Sequence, residues 1–343
     1  ALIAFAVKKG YEPLLLLPIG LGMVLVNLPA SPMREADSFL GILYHFGIAN
    51  EFFPLLIFIA IGAMLDFKPL LERPWLVVFG AAGQVGIFGA LLAALIVGFP
   101  LFEAASIGVI GTADGPTSIV VASRLAPRIV GSVTLAAYSY MALVPVIQPP
   151  VIKLLTTPEQ RRIPMPYHEK PVSRKLKILF PIGVTLVAGM FAPPSASLIG
   201  FLMFGNLLRE SGVVDRLAKG AQNELANIVT ILLGLAISAT MTGDRFIQSQ
   251  TLLILCMGLV AFILDTAVGV LSAKAINLFR KRKLNPMIGA SGISAFPMSA
   301  RLVQRLAAAE DKNNFILMHA VGANVSGQIG SVLAGGLLLA FLG

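Results

Sequence analysis

The sequence predicts an all-α polytopic membrane protein made of two inverted-topology repeats, each combining transmembrane helices with one broken or hairpin segment. Three observations predict it. Apolar stretches recur along the whole chain, two stretches rich in Gly, Pro, Ser and Thr interrupt the series, and the chain resembles itself at a shift near 176 residues. Of the 343 residues 57% are hydrophobic and only 13% charged, with a mean hydropathy of +0.86. A soluble domain carries about a quarter charged residues, so that class is excluded. Disorder needs low hydrophobicity with high charge, and a disulfide framework needs many cysteines where this chain has one. Cys256 lies in the apolar run 252–264 and is expected to be a buried, unreactive thiol.

Apolar stretches fall at about 13–29, 51–66, 75–99, 129–150, 178–192, 195–208, 225–242, 250–272 and 314–342. Several are shorter than the ~20 residues of an untilted span, so tilt, unwinding or burial among neighbours is expected. Segments 104–125 and 287–308 break in the middle, at Asp114-Gly115-Pro116 and around Gly292. Irregular backbone persists at membrane depth only inside protein or against a watery cavity, which predicts helical hairpins or broken helices there.

Basic residues set the orientation. The 26 Lys and Arg exceed the 17 Asp and Glu by 9. If residues 8–12 start on one side and both broken segments return to the side they entered from, only Arg34, Arg124, Arg128 and Arg245 fall on the far side. The other 22 share the first, which the positive-inside rule makes cytoplasmic; the C-terminus then lies outside. The basic balance therefore needs no nucleic acid. The chain divides into a first repeat over 1–152, a basic, Pro-containing cytoplasmic loop over 153–177 that is expected to be an extended docking or linker segment, and a second, inverted repeat over 178–343. Trp75, after Arg73-Pro74, suits an interfacial anchor.

The repeat signal is spread along the chain. Ala60, Ile61 and Ala63 recur as Ala236, Ile237 and Ala239 at a shift of 176; Arg124-Leu125 meets Arg301-Leu302 at 177, and Asn27-Leu28 meets Asn206-Leu207 at 179. The first broken segment enters from the outer side and the second from the cytoplasm, so the repeats are inverted, an arrangement that alternates access around a midplane site. The second repeat has an extra span, 178–192, so residues 1–7 are expected to be the end of a helix that begins upstream of Ala1.

Asp114, in Gly111-Thr-Ala-Asp-Gly-Pro-Thr-Ser118, is the most informative residue. An ionisable group inside a membrane costs ~2.5–3.5 kcal/mol on insertion scales and marks function by default. A carboxylate among hydroxyls and helix-break carbonyls, Thr117 among them, suits Na⁺ or H⁺ rather than soft metals. Capping the half-helix that starts at Gly115-Pro116 is its alternative role, and both can hold. The second broken segment has no carboxylate but offers Asn285, Ser291, Ser294 and exposed carbonyls; its small residues equally suit close helix packing. Arg301, towards the cytoplasmic end, suits either bidentate binding of a carboxylate or a positive-inside anchor. In the last span Asn324 and Ser331 lie seven apart on one helical face, with Ser326 and Gln328 beside them. Tyr140 and Gln148 make a similar stripe, and the repeat shift drops Gln148 onto Asn324, so the two stripes are expected to face each other near the pseudo-symmetry axis. Interhelical hydrogen bonding is the plainer reading of both. Asp265 is a weaker carboxylate candidate, judged to lie near a helix end. His45, His168 and His319 lack metal-ligand spacing, and neither a Walker A nor a Gly-x-Ser-x-Gly motif occurs.

Five motifs together resemble one family. Ala113-Asp-Gly-Pro-Thr117, the run from Ala137 to Pro150, Phe204-Gly-Asn-Leu-Leu-Arg-Glu-Ser-Gly212, Asn285-Pro-x-Ile-Gly289, and Met318-His-Ala320 with Asn324 are similar to the membrane β subunit of the Na⁺-translocating, biotin-dependent decarboxylases of oxaloacetate, methylmalonyl-CoA and glutaconyl-CoA. The resemblance implies a multi-pass protein of a prokaryotic inner membrane that decarboxylates carboxybiotin, consumes an external proton and exports Na⁺. Biotin would be supplied by a carboxyltransferase or biotin-carrier subunit and not be attached to this chain. A small membrane-anchor subunit and further copies of the chain would complete the assembly. By the same resemblance Asp114, with Thr117, is the principal Na⁺ or proton carboxylate, and Asn324 and Ser331 join it in the Na⁺ site. Tyr140 and Ser294 belong to a second cation and proton route, Asn285 and Gly289 to its lining, and Arg301 with Asn285 to the carboxybiotin end. Ala323 departs from the Pro that many relatives carry before the Asn. A Na⁺-coupled carrier of organic anions without catalysis is the competing reading, because one architecture hosts both.

Overall fold

The computed structural model describes residues 2–9, 13–243 and 248–343; Ala1 and Arg245 lie outside them. Among the described residues all regular structure is helical. The order is α1 (Leu2–Lys9), α2 (Pro13–Asn27), α3 (Phe39–Tyr44), α4 (Phe52–Met64), α5 (Lys68–Glu72), α6 (Val77–Ala82), α7 (Val85–Val97), α8 (Leu101–Gly108), α9 (Gly115–Leu125) and α10 (Val130–Leu155). Then come α11 (Pro158–Arg161), α12 (Arg174–Phe191), α13 (Ser195–Ser211), α14 (Asp215–Gly220), α15 (Ala226–Ser238), α16 (Ser249–Phe279), α17 (Met298–Glu310) and α18 (Leu317–Leu342). Backbone polar groups must be satisfied within the chain where no water is present, and helices do this segment by segment.

Five helical stretches among these are long and apolar enough to cross a membrane: Pro74–Val97, Pro127–Leu155, Asp215–Ser238, Ser249–Phe279 and Leu317–Leu342. A sixth is possible where Pro13–Asn27 continues into Pro32–Ala49 across a bend of 113°. Other apolar stretches, such as Phe52–Met64, form shorter helices.

Both broken segments are present. The first runs from α8 through a 3₁₀ turn, Val109–Thr112, to Ala113, whose φ of 53° is left-handed and ends the half-helix. Asp114 then caps α9, whose second residue, Pro116, brings no N–H to an end where none would be satisfied. The second opens as the 3₁₀ stretch Pro286–Gly292, becomes extended at Ile293 and resumes as α17.

Packing crosses between the two halves of the sequence. α4 lies on α13 with no side chain between them: a Cβ on Gly62 would stand 1.8 Å from the Leu202 carbonyl oxygen, and one on Gly205 would stand 2.0 Å from that of Ile59. α2 pairs with α15, α10 with α16, and α6 with α18. Asn27 closes the α2 contact, donating to the Met241 carbonyl at 2.9 Å and accepting the Gly243 N–H at 2.6 Å. Asn206 of α13 donates to the Leu65 carbonyl at 3.1 Å, just past the end of α4.

The loop 153–177 is not the free linker its prolines suggest. α10 continues to Leu155, and α11 follows behind a capping box of Thr157 and Gln160. Asn285 donates to the carbonyls of Arg161 and Ile163 at 2.7 and 3.1 Å, and Asn314 reaches the same two oxygens at 3.3 Å each. Arg161 pairs with Glu310, Lys68 with Glu169 at 2.9 Å, and the Tyr167 hydroxyl donates to Glu72. These bonds strap the loop over one end of the helices.

Two expectations are corrected. Cys256 is exposed on the outside of α16 rather than buried, because the all-apolar run there has a face that no helix among the described residues covers. Asp265 lies in mid-helix, sixteen residues into α16, because the helix extends to Phe279, well past the apolar run.

Candidate functional site

Asp114 is 3% exposed, at the crossing of the two broken segments with α18. Its Oδ1 accepts the Thr117 N–H at 3.2 Å, so the predicted cap is formed. Its Oδ2 accepts from the Gln328 amide at 2.9 Å and from the Ser331 hydroxyl. Ser294 donates in turn to the Ser331 oxygen. The Ser294 N–H donates to the Thr112 carbonyl at 3.1 Å, so the two broken segments are joined backbone to backbone beside the carboxylate.

Among the described residues no Lys or Arg pairs with Asp114. A buried charge left alone costs several kcal/mol and is normally neutralised by a proton or a cation. Oxygen donors with spare capacity lie on the same segments. The Thr117 hydroxyl on α9 and the Asn324 side-chain carbonyl on α18 are buried and have no hydrogen-bond partner among the described residues. Asn324 is fixed by its amide, which donates to the Ile293 carbonyl at 2.6 Å. A cavity of about 60 Å³ borders Asp114, Gly115, Ser294, Phe296 and Gln328. Pockets for small organic ligands begin near ~300 Å³, so this one suits a small cation with its water. The donors are all oxygens or amides, and such hard donors suit alkali ions.

The other expected residues sit elsewhere. Tyr140 donates to the Leu255 carbonyl between α10 and α16 and makes no bond to the Asp114 cluster. Gln148 donates to the Ala290 carbonyl at 3.0 Å and accepts from Ser299 at 2.8 Å. It and Asn324 thus bracket the second broken segment, one holding Ala290 and the other Ile293. Asn285 caps the 3₁₀ stretch by accepting the Met287 N–H at 3.1 Å and commits its amide to the strap. Gly289 meets α16 backbone to backbone at Gly269. Arg301 is exposed on α17. Gln328 was visible in the sequence only as one polar group among several; lying three residues before Ser331, it shares the face that reaches Asp114.

A second polar cluster stands where the strap lies. The Arg73 guanidinium sits 4.2 Å over the Tyr167 ring, and His319 meets that ring edge-on at 5.6 Å. Burial, and then the hydrogen bond it donates to the Glu72 carboxylate, push the Tyr167 phenol above its ordinary range, so it stays a donor at neutral pH. A hydrogen bond between Lys68 and Glu169 holds the ammonium above and the carboxyl below their usual values.

Comparison with known proteins gives this geometry a family. The family model for the Na⁺-transporting oxaloacetate decarboxylase beta subunit matches residues 1–342. Glutaconyl-CoA decarboxylase subunit beta of Acidaminococcus fermentans is 48% identical over 342 residues, covering 100% of this chain and 91% of that one. Methylmalonyl-CoA decarboxylase subunit beta of Veillonella parvula is 48% identical over 341 residues, covering 99% and 90%. Oxaloacetate decarboxylase beta chain of Klebsiella pneumoniae is 42% identical over 402 aligned positions, covering 99% and 93%. A buried oxygen-rich carboxylate between two broken helices, in a chain matched from end to end, belongs to a decarboxylase subunit: this protein is a member of the Na⁺-transporting decarboxylase β-subunit family.

Proposed function

We propose that the chain releases CO₂ from carboxybiotin presented by a carrier subunit and couples that release to outward movement of Na⁺ past Asp114. Decarboxylation needs one proton for the ureido nitrogen of biotin as the C–N bond to CO₂ breaks, and that proton is drawn from outside. Asp114 keeps its charge compensated throughout, by Na⁺ in one direction and by H⁺ in the other. The observation that carries this reading is a buried carboxylate with no cationic partner among the described residues, beside the Ser294 N–H to Thr112 carbonyl bond that joins the two broken segments. Thr117, Asn324 and Ser331 complete the Na⁺ site, Ser294 bridges it to the second segment, and Tyr140 lies on a separate route between α10 and α16. Gly289 sets the close approach of that segment to α16. Asn285 and Arg301 mark the cytoplasmic end, where the carrier would dock.

Inverted repeats give the alternation its mechanism. Asn27 and Asn206 fall on each other at a shift of 179, and the carbonyls they hold, Met241 and Leu65, are 176 apart, close to the same shift. The exchange of α2 onto α15 and α13 onto α4 is what a pseudo-two-fold axis would produce. With the basic loops in the cytoplasm of a prokaryotic inner membrane, the strap 153–177 faces the carboxyltransferase or carrier partner. A small membrane-anchor subunit and further copies of the chain complete the proposed assembly.

An organic-anion carrier fits less well, because the cavity beside Asp114 is several-fold smaller than such a substrate needs. The test is CO₂ release from carboxybiotin by the purified protein with its carrier, in Na⁺ and in matched K⁺. Release stimulated by Na⁺ and abolished in folded Asp114→Asn is the expected result. Full activity in Asp114→Asn would remove the core of the proposal.

A further inference from the structure

Asp265 is a second carboxylate sealed inside the protein, and no step above uses it. It is fully buried in the middle of α16. Its Oδ1 accepts the Gly86 N–H at 2.6 Å, at the first turn of α7, and its Oδ2 has no partner among the described residues. The seat is tight on two sides. A Cβ on Gly86 would stand 2.1 Å from Oδ1, and one on Gly111 would stand 2.8 Å from Oδ2. Gly111 belongs to Val109–Thr112, the 3₁₀ turn of the first broken segment, three residues before Asp114.

Two forces act on this group in opposite senses. Burial without a cation opposes the charged form, whereas the positive end of α7 and its N–H favour it. The balance therefore turns on whether Val109–Thr112 covers the free oxygen. The other titratable groups on the packed elements lie away from Asp265 or bond elsewhere. On α10, Tyr138 adjoins Gly115, Tyr140 bonds to Leu255, and Lys153 lies in the last turn; on α8, Glu103 accepts from Gln250. On α16 itself Cys256 is exposed and Lys274 donates to the Leu155 carbonyl. α6, α7, Val109–Thr112 and Pro286–Gly292 carry no titratable side chain.

We propose that Asp265 is a second proton-carrying carboxylate and a positioning residue for the first broken segment. It is protonated while Val109–Thr112 packs on it and ionised when that segment withdraws. The proton passes to and from water that reaches Oδ2 in the withdrawn state, and no other bond changes. Because the same turn leads into Asp114, and its Thr112 carbonyl holds Ser294, the proton at Asp265 and the cation at Asp114 bias one element. Each site then alters the other's affinity by the same factor.

The inference rests on the decarboxylation-coupled reading, and one experiment separates the two. Na⁺-dependent CO₂ release is followed against pH for the wild-type complex and for Asp265→Asn, which keeps the shape and the acceptor for Gly86 but cannot ionise. Wild-type protein without release fails the pump reading itself. The expected result is wild-type release, with Asp265→Asn reduced about tenfold or more and one limb of its pH profile lost at an unchanged unfolding temperature. Equal rates and equal profiles at every pH overturn the role of Asp265 alone. Should Asp265→Asn not fold, infrared spectra of Asp114→Asn protein decide. A carboxylic-acid C=O band present at neutral pH and lost reversibly in alkali is expected, whereas a group ionised throughout or protonated throughout overturns the proposal.

Discussion

Replacing Ser331 by Ala takes one hydroxyl away from the Asp114 carboxylate and leaves Ser294 only the Gly327 carbonyl, at 3.3 Å, as its acceptor. Two magnitudes compete. A hydrogen bond to a charged group contributes about 1.5–3 kcal/mol, whereas an interhelical hydrogen bond inside a membrane protein averages only ~0.6 kcal/mol. If Ser331 is part of the cation site, the loss falls on Na⁺ affinity, and at 1.4 kcal/mol per tenfold it amounts to roughly 10- to 150-fold. If it only fastens α18 to α9, the change is about threefold and falls on stability. The assay is the Na⁺ concentration that half-stimulates CO₂ release by the reconstituted complex, read beside the unfolding temperature. The Thr117 N–H and the Gln328 amide stay in place, so the cap on α9 survives and the protein is expected to fold. A half-stimulating concentration within about threefold of wild type would refute Ser331 as a Na⁺ ligand.

Four further outcomes are expected. Gly62→Leu must push α4 off the Leu202 carbonyl and is expected to cost about 3 kcal/mol or more, at the upper end of overpacking. Gly183→Ala on α12, where a Cβ meets nothing within 4 Å, should gain about 0.5–1 kcal/mol, and unfolding in detergent tests both. Asn285→Ala leaves the Arg161 and Ile163 carbonyls of the strap to Asn314 alone, at 3.3 Å each, a loss of about 0.5–1.5 kcal/mol per bond that should speed proteolytic cleavage within 162–173 several-fold. The Lys68–Glu169 tie also has a pH window. The lowered Glu169 carboxyl contributes above its usual value and loses that contribution as pH falls through the depressed one. The raised Lys68 contributes below its usual value and fails only as pH climbs past the elevated one. Amide protection around Glu169, taken relative to the intrinsic exchange rate at each pH, should therefore fall on acidification and stay flat into mild alkali; high salt should blunt the effect because the pair is exposed.

Asp114 was legible in the sequence because an acid amid Gly, Pro and Thr in an apolar chain has few uses, and its cap followed from Gly115-Pro116. The broken segments were legible for the same reason. Asn285 was not: in the sequence it is a polar residue before Pro286, and only folding shows its amide holding the carbonyls of Arg161 and Ile163, more than a hundred residues away. Asp265 was misplaced because the end of an apolar run is not the end of a helix. Cys256 was misjudged because a uniformly apolar run gives no sign of which face its neighbours cover.

Hydropathy, charge placement and local turn chemistry are properties of short windows, so the sequence by itself determined the helical membrane class, both breaks and the carboxylate at the first. Which polar groups meet depends on contacts between segments far apart in the chain. Gln328 reaching Asp114 across 214 positions, Gly111 closing on Asp265, and the strap folding back onto Asn285 were decided by tertiary structure alone. Helix faces carry a period but no partner, and the partner is chosen only when close-packed backbones such as those at Gly62 and Gly205 fix how the helices cross.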